Sequence, residues 1–127
     1  ADKIIAVQAA TTYNTYALEK LAPLGAQIRI YDQHEQMVRD LEAGRVDVVF
    51  GDKIAMISFL QRDGSDGYAE LGQAPEDPIL GEGVGVGLRE GEPELLAAMN
   101  EAVAAVLADG TCAALSQQYF GADICAP

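Results

Sequence analysis

The sequence predicts an α/β fold built on an open, mostly parallel sheet flanked by helices. Two observations carry this. Short apolar runs rich in β-branched residues alternate with helical patterns in the order β-α-β-α-β-α-β. The order of these elements makes the connections crossovers, which should be right-handed. "KIIAVQA" is the first buried strand, reached directly from Ala1-Asp2-Lys3. "TYNTYALEKLA" follows with Tyr13, Tyr16, Ala17 and Leu21 at helical spacing, and Pro23 and Gly25 end it. "AQIRIYD" alternates, with Ile28 and Ile30 on one side. "DQHEQMVRDLEAGR" is an amphipathic helix, with Asp32 as its N-cap, Met37, Val38 and Leu41 as its buried stripe, and Gly44 as its stop. "VDVVFG" is a third strand, and Asp52 leads into the helix "KIAMISFLQRD". "YAELGQ" and "GVGVGLRE" are expected to be two further strands, separated by the loop "APEDPILGEG". "EPELLAAMNEAVAAVLADG" is the clearest helix: Pro93 stands in its first turn, and Leu95, Leu96, Met99, Val103, Val106 and Leu107 share a face. "TCAALSQQYFG" closes the chain as a last short helix.

The 127 residues are one domain's worth of chain, half of them hydrophobic. Twenty acidic against eight basic residues give a formal charge of −12. Phosphate binding needs clustered Lys and Arg, so nucleic acid is excluded as a partner and anionic membranes are disfavoured. The charge serves solubility, with a modest bias toward cationic ligands. No apolar run is long enough to span a membrane. The start has neither the basic nor the greasy stretch of a secretion signal. Cys112 and Cys125 lack zinc-site spacing and have no neighbouring histidine. Their even count points to a disulfide and an oxidising compartment, with two unrelated buried thiols as the alternative.

The residues that could bind something stand at strand ends. In an open α/β sheet, ligands sit outside the carboxyl ends of the strands, where strand order reverses. Thr11 and Thr12 follow the first strand, and Gly51 and Asp52 follow the third. A strand order of 2-1-3 makes those ends neighbours. The threonine turn offers N–H groups at a helix start and two hydroxyls, which suits a carboxylate. Asp52 suits an ammonium. Together they would receive the backbone of an amino acid, while plain helix capping accounts for the same residues without a ligand.

Four stretches resemble a known family: "VQAATTY", "DLEAGRVDVVFGD", "GEGVGVGLREGEPELLAAMNEAVAAVLADGT" and "QQYFGADI". The chain is similar, over essentially its whole length, to the second half of periplasmic binding proteins for polar amino acids. This group includes the lysine/arginine/ornithine-, histidine- and glutamine-binding receptors of ABC importers. The resemblance implies one lobe of a type II periplasmic-binding-protein fold. Residues 1–88 would be the ligand-binding lobe with a hinge strand, and residues 89–127 helices that pack on the first lobe in the family. It implies a threonine turn for the ligand α-carboxylate at Thr11 and Thr12, an aspartate for the α-ammonium at Asp52, and a ligand-side position at Gln8. It also implies periplasmic location through a signal peptide outside these residues, a membrane permease as partner, and no cofactor or metal. Ala10 stands where the family often has glycine; a helix start need not require positive φ, so the site is retained.

The family's first half, with its carboxylate-clamping arginine and most of the side-chain pocket, does not lie within these residues. The apolar C-terminal helices are therefore expected to self-associate. "GEGVGVG" does not satisfy a dinucleotide fingerprint. His34 is expected to be a solvated side chain, and no Ser-His-Asp set is present. The alternatives on the same architecture are a ligand-sensing module of a signalling protein and a dehydratase of prephenate-like acids. The latter would use Glu82 or Asp52 as general acid.

Overall fold

A computed structural model of the chain describes residues 2–81 and 83–125. They fall into two compact units, Ala1–Gly83 and Val84–Pro127. The division comes before the boundary after Leu88 that the resemblance implies.

The first unit holds three parallel strands in the order β2-β1-β3, with β1 at Ile4–Gln8, β2 at Gln27–Tyr31 and β3 at Val48–Val49. Register is set by Ile4 opposite Gln27 through Gln8 opposite Tyr31, and by Ile5 opposite Val48. β3 is short, but bonds from Asp47 N–H to the Ile4 carbonyl and from Phe50 N–H to the Ala6 carbonyl extend its pairing. The middle strand is the most apolar, and Ala6 and Val7 are fully buried. Three helices complete the unit: α1 at Thr12–Tyr16, α2 at His34–Glu42 and α3 at Lys53–Leu60. After α1 the chain passes through a π turn at Ala17–Leu21 and a 3-10 turn at Ala22–Leu24, ending at Gly25 with φ +93°.

Met37 and Val38 of α2 are buried, and Met37 packs with Ala6 and Val46 at the centre of the core. Gly44 takes φ +67° and stops α2 as expected. The expected cap is corrected: Gln33, not Asp32, caps α2, in a reciprocal pair with Gln36. The Asp32 carbonyl instead accepts from Gln8. On the flank of β2, Asp40 gathers Arg45, the Tyr31 hydroxyl and, at 3.7 Å, Arg29.

Two expected strands are absent among the described residues. Residues 68–73 and 83–90 carry no strand. Val84 and Val86 are 91% and 63% exposed, so their alternation with glycine meets no neighbouring strand. Alternation gives a segment the shape of a strand, but only a paired neighbour makes it one.

The second unit is a pair of helices, α4 at Pro93–Ala108 and α5 at Thr111–Phe120. Pro93 opens α4, and Gly110 at φ +79° separates the two. Cys112 of α5 is bridged to Cys125, as the even cysteine count suggested. Ser116 is buried, with its Oγ 2.9 Å from Cys125 Sγ. No residue of α4 is buried. Among the described residues no single helix is long and apolar enough to cross a membrane, and α4 and α5 pass that test only as a pair bent by 70°.

Candidate functional site

The strand order β2-β1-β3 makes the carboxyl ends of β1 and β3 neighbours. The threonine turn and Asp52 are the segments that leave those ends.

At the first end the chain reverses through Ala10, whose φ is +57°. The expectation that this helix start needs no positive φ is therefore overturned. Thr11 then caps α1. Its hydroxyl donates to the Gln8 carbonyl at 2.7 Å and accepts from the Asn14 N–H at 3.2 Å. Both roles fasten the turn, so the Thr11 hydroxyl is committed to structure. Thr12 is exposed, and its side chain and the first N–H groups of α1 are what this end presents outward. Gln8 is half-buried, and its amide Nε2 donates to the Asp32 carbonyl at 3.2 Å. It ties the ends of β1 and β2 together.

At the second end Asp52 caps α3, its Oδ1 accepting from the Ala55 N–H at 3.0 Å. Among the described residues no hydrogen bond reaches Oδ2, and Asp52 is half-buried. Capping, the ligand-free account of these residues, is thus real for both Thr11 and Asp52. It fixes the direction of each group without using up the Thr12 hydroxyl or the second Asp52 oxygen.

Three aromatic side chains join the two ends. The Tyr13 ring meets Phe50 edge-on with centroids 5.4 Å apart, and Tyr16 lies 5.6 Å from the same ring. Burial, and then the negative charge of Asp52, push the Tyr13 hydroxyl above its ordinary range. Through its ring contact with Phe50, Tyr13 packs the segment after β1 against the segment after β3. Its helical spacing with Tyr16 marked both as inward-facing, but nothing in the sequence showed that Phe50 was the surface they meet. Glu82, the alternative general acid, lies outside the described residues. No group of three metal-ligating side chains gathers among the described residues.

Residues 16–122 match the bacterial extracellular solute-binding proteins, family 3. The chain belongs to this family. Its similarity to curated members runs through the site. The chain is 37% identical over 124 residues to the histidine-binding periplasmic protein of Salmonella typhimurium, covering 96% of the chain and 48% of that protein. It is 34% identical to the L-arginine-binding protein of Pseudomonas aeruginosa, covering 90% of the chain and 45% of that protein. To the L-cystine-binding protein of Escherichia coli it is 33% identical, covering 96% and 43%. The chain thus spans about half the length of the curated relatives it matches. The family is one of solute-binding proteins, and its members bear out the resemblance read from the sequence.

Proposed function

We propose that the chain is the ligand-binding part of a receptor for a polar L-amino acid, with basic amino acids favoured by its acidic charge. In this reading the receptor works in the periplasm and delivers its ligand to the membrane permease of an ABC importer. One observation supports it: the strand order β2-β1-β3 makes the carboxyl ends of β1 and β3 neighbours, and the threonine turn and Asp52 follow those two ends. Thr12, with the N–H groups of the turn that Thr11 holds, receives the α-carboxylate, and Asp52 receives the α-ammonium. Gln8 acts from behind by holding the strand ends together. Residues 1–88 form the binding lobe, and residues 89–127 serve a neighbouring lobe or a second copy. The Cys112–Cys125 bridge agrees with an oxidising compartment. The names of the relatives agree with amino-acid ligands.

The test is an amide NMR titration with L-arginine, L-lysine, L-histidine and L-glutamine. The expected shifts centre on Thr12, Tyr13 and Lys53. Asp52→Asn keeps a competent cap and should abolish most of the response. In a receptor whose second lobe closes over the ligand, the same change should cost about 2–4 kcal/mol, because it strands a desolvated ammonium. Shifts that ignore these residues, or an Asp52→Asn variant that binds as well as wild type, reject the assignment.

A further inference from the structure

Ser116 lies in the middle of α5 and is only 3% exposed. A serine inside a helix ordinarily turns its hydroxyl to the carbonyl one turn back, as Ser58 does with the Ile54 carbonyl at 2.9 Å. Among the described residues the Ser116 hydroxyl has a different partner: its Oγ lies 2.9 Å from Cys125 Sγ. Cys125 is bridged to Cys112 and so carries no S–H, which makes the hydroxyl the donor. A neutral disulfide sulfur is a weak acceptor. A thiolate is a far better one, because a hydrogen bond to an ion is roughly twice as strong as one between neutral groups. The contact therefore stabilises most once the bridge has opened with its negative charge on Cys125.

The other neighbours treat the two sulfurs alike. Asp123 accepts from the Cys125 N–H at 2.9 Å. Asp109 accepts from the N–H of Thr111, the residue before Cys112, at 2.8 Å. Each carboxylate disfavours a thiolate close to it, and Asp109 also offsets the favourable charge that the start of α5 would lend Cys112. Both cysteines are half-buried, and both line one apolar groove with Leu115 and Ile124. Ser116 is what sets them apart.

We propose that Cys112 is a thiol-exchange site, with Cys125 as the leaving sulfur. The thiolate of a low-molecular-weight thiol attacks Cys112 Sγ. A new S–S bond forms there as the Cys112–Cys125 bond breaks. The electron pair of the broken bond goes to Cys125 Sγ, which leaves as a thiolate under the Ser116 hydroxyl. The attacking sulfur is oxidised, Cys125 is reduced, and Ser116 keeps its proton. A better-stabilised thiolate leaves faster, so Ser116 is a positioning residue that sets the rate and the direction of exchange. Opening the bridge also removes the covalent hold on residues 121–125, and with it the groove wall that Ile124 and Cys125 supply.

The experiment exposes the oxidised full chain briefly to 2-mercaptoethanol and stops the exchange with excess N-ethylmaleimide. Chymotryptic cleavage at Tyr119 and Phe120 then separates the two cysteines for mass spectrometry. In wild type, mercaptoethanol should sit on Cys112 and maleimide on Cys125, in about tenfold excess over the reverse, as a hydrogen bond to a charged group allows. Ser116→Ala should lose that bias and react about tenfold more slowly. A wild-type bridge that does not open, or that opens with mercaptoethanol on Cys125 or equally on both, overturns the proposal without any variant having to fold. A Ser116→Ala chain that keeps the wild-type bias overturns it as well. So does one that reacts faster at both sulfurs, since Ser116 would then only pack the tail against α5.

Discussion

Ala10 holds a left-handed backbone at φ +57°, directly ahead of the Thr11 cap. For a residue with a Cβ this conformation costs about 1–2 kcal/mol. The turn persists because Thr11 fastens it from two sides, to the Gln8 carbonyl and the Asn14 N–H. Ala10→Gly removes the clash and gives back part of the gain through a freer unfolded chain. A net stabilisation of about 0.5–1 kcal/mol is expected, read as a higher urea midpoint with unchanged slope. An unchanged or lower midpoint would show that the turn is unstrained. The family pattern drew attention to this position, but positive φ is a backbone fact that an alanine does not advertise.

At the scale of elements, α2 is anchored to the sheet by polar as well as apolar contacts. The hydrogen bonds from Arg45, and then from the Tyr31 hydroxyl, hold the Asp40 carboxyl below its ordinary 3.8. Asp47, at the start of β3, is lowered likewise by the Ile4 N–H and then Lys3. A depressed acid contributes stability that is fully present above the unfolded value and is lost as pH falls through the folded one. The thermal midpoint should therefore hold above about pH 5 and drop below about pH 4. Asp40→Asn should be less stable than wild type at neutral pH, with the gap closing toward about pH 2. A gap independent of pH would remove Asp40's charge from the account.

The bridge makes the matching case for the second unit, where α4 buries nothing. Cys112 and Cys125 are 13 residues apart, a loop worth about 3 kcal/mol in the chain-entropy model. Reduction should speed amide exchange across α5 markedly, and equal rates before and after reduction would make the bridge incidental. What the sequence showed at this scale follows from what it encodes locally. The β1 and β2 runs, the stripe of Met37 and Val38, and the Pro93 and Gly110 boundaries are written in neighbouring residues. The expected strands at 68–73 and 83–90 needed partners, and nothing within those segments could supply them. Thr11, Thr12 and Asp52 could be read as candidates because strand ends and caps are local features. The contact of Tyr13 with Phe50 could not be read in this way, because the two are distant in sequence.

For the whole molecule, the balance between an open site and an uncovered helix face sets the behaviour in solution. Thr12 is exposed and Asp52 half-buried, so an amino acid resting there keeps much of its water. Two or three hydrogen bonds at about 0.5–1.5 kcal/mol each barely offset an association cost of about 4 kcal/mol or more. This chain by itself should therefore bind L-arginine, L-lysine, L-histidine or L-glutamine no tighter than about 1 mM. Along α4, meanwhile, Leu95, Leu96, Val103, Val106 and Leu107 all stand exposed. Beside Val106, the residues Leu115, Tyr119, Phe120 and Ile124 line an apolar groove of about 310 Å3. Burying that surface between copies is favourable by about 25 cal/mol for each Å2 removed from water, and the charge of −12 on each copy opposes it. Salt screens the repulsion and leaves the apolar term in place. Self-association should thus grow from low to high sodium chloride in sedimentation runs, and Leu96→Glu with Val103→Glu should suppress it at every salt. The two expectations meet in one titration: a chain that stays monomeric at high salt while binding an amino acid at micromolar concentration would show that neither the open site nor the bare helix face governs it.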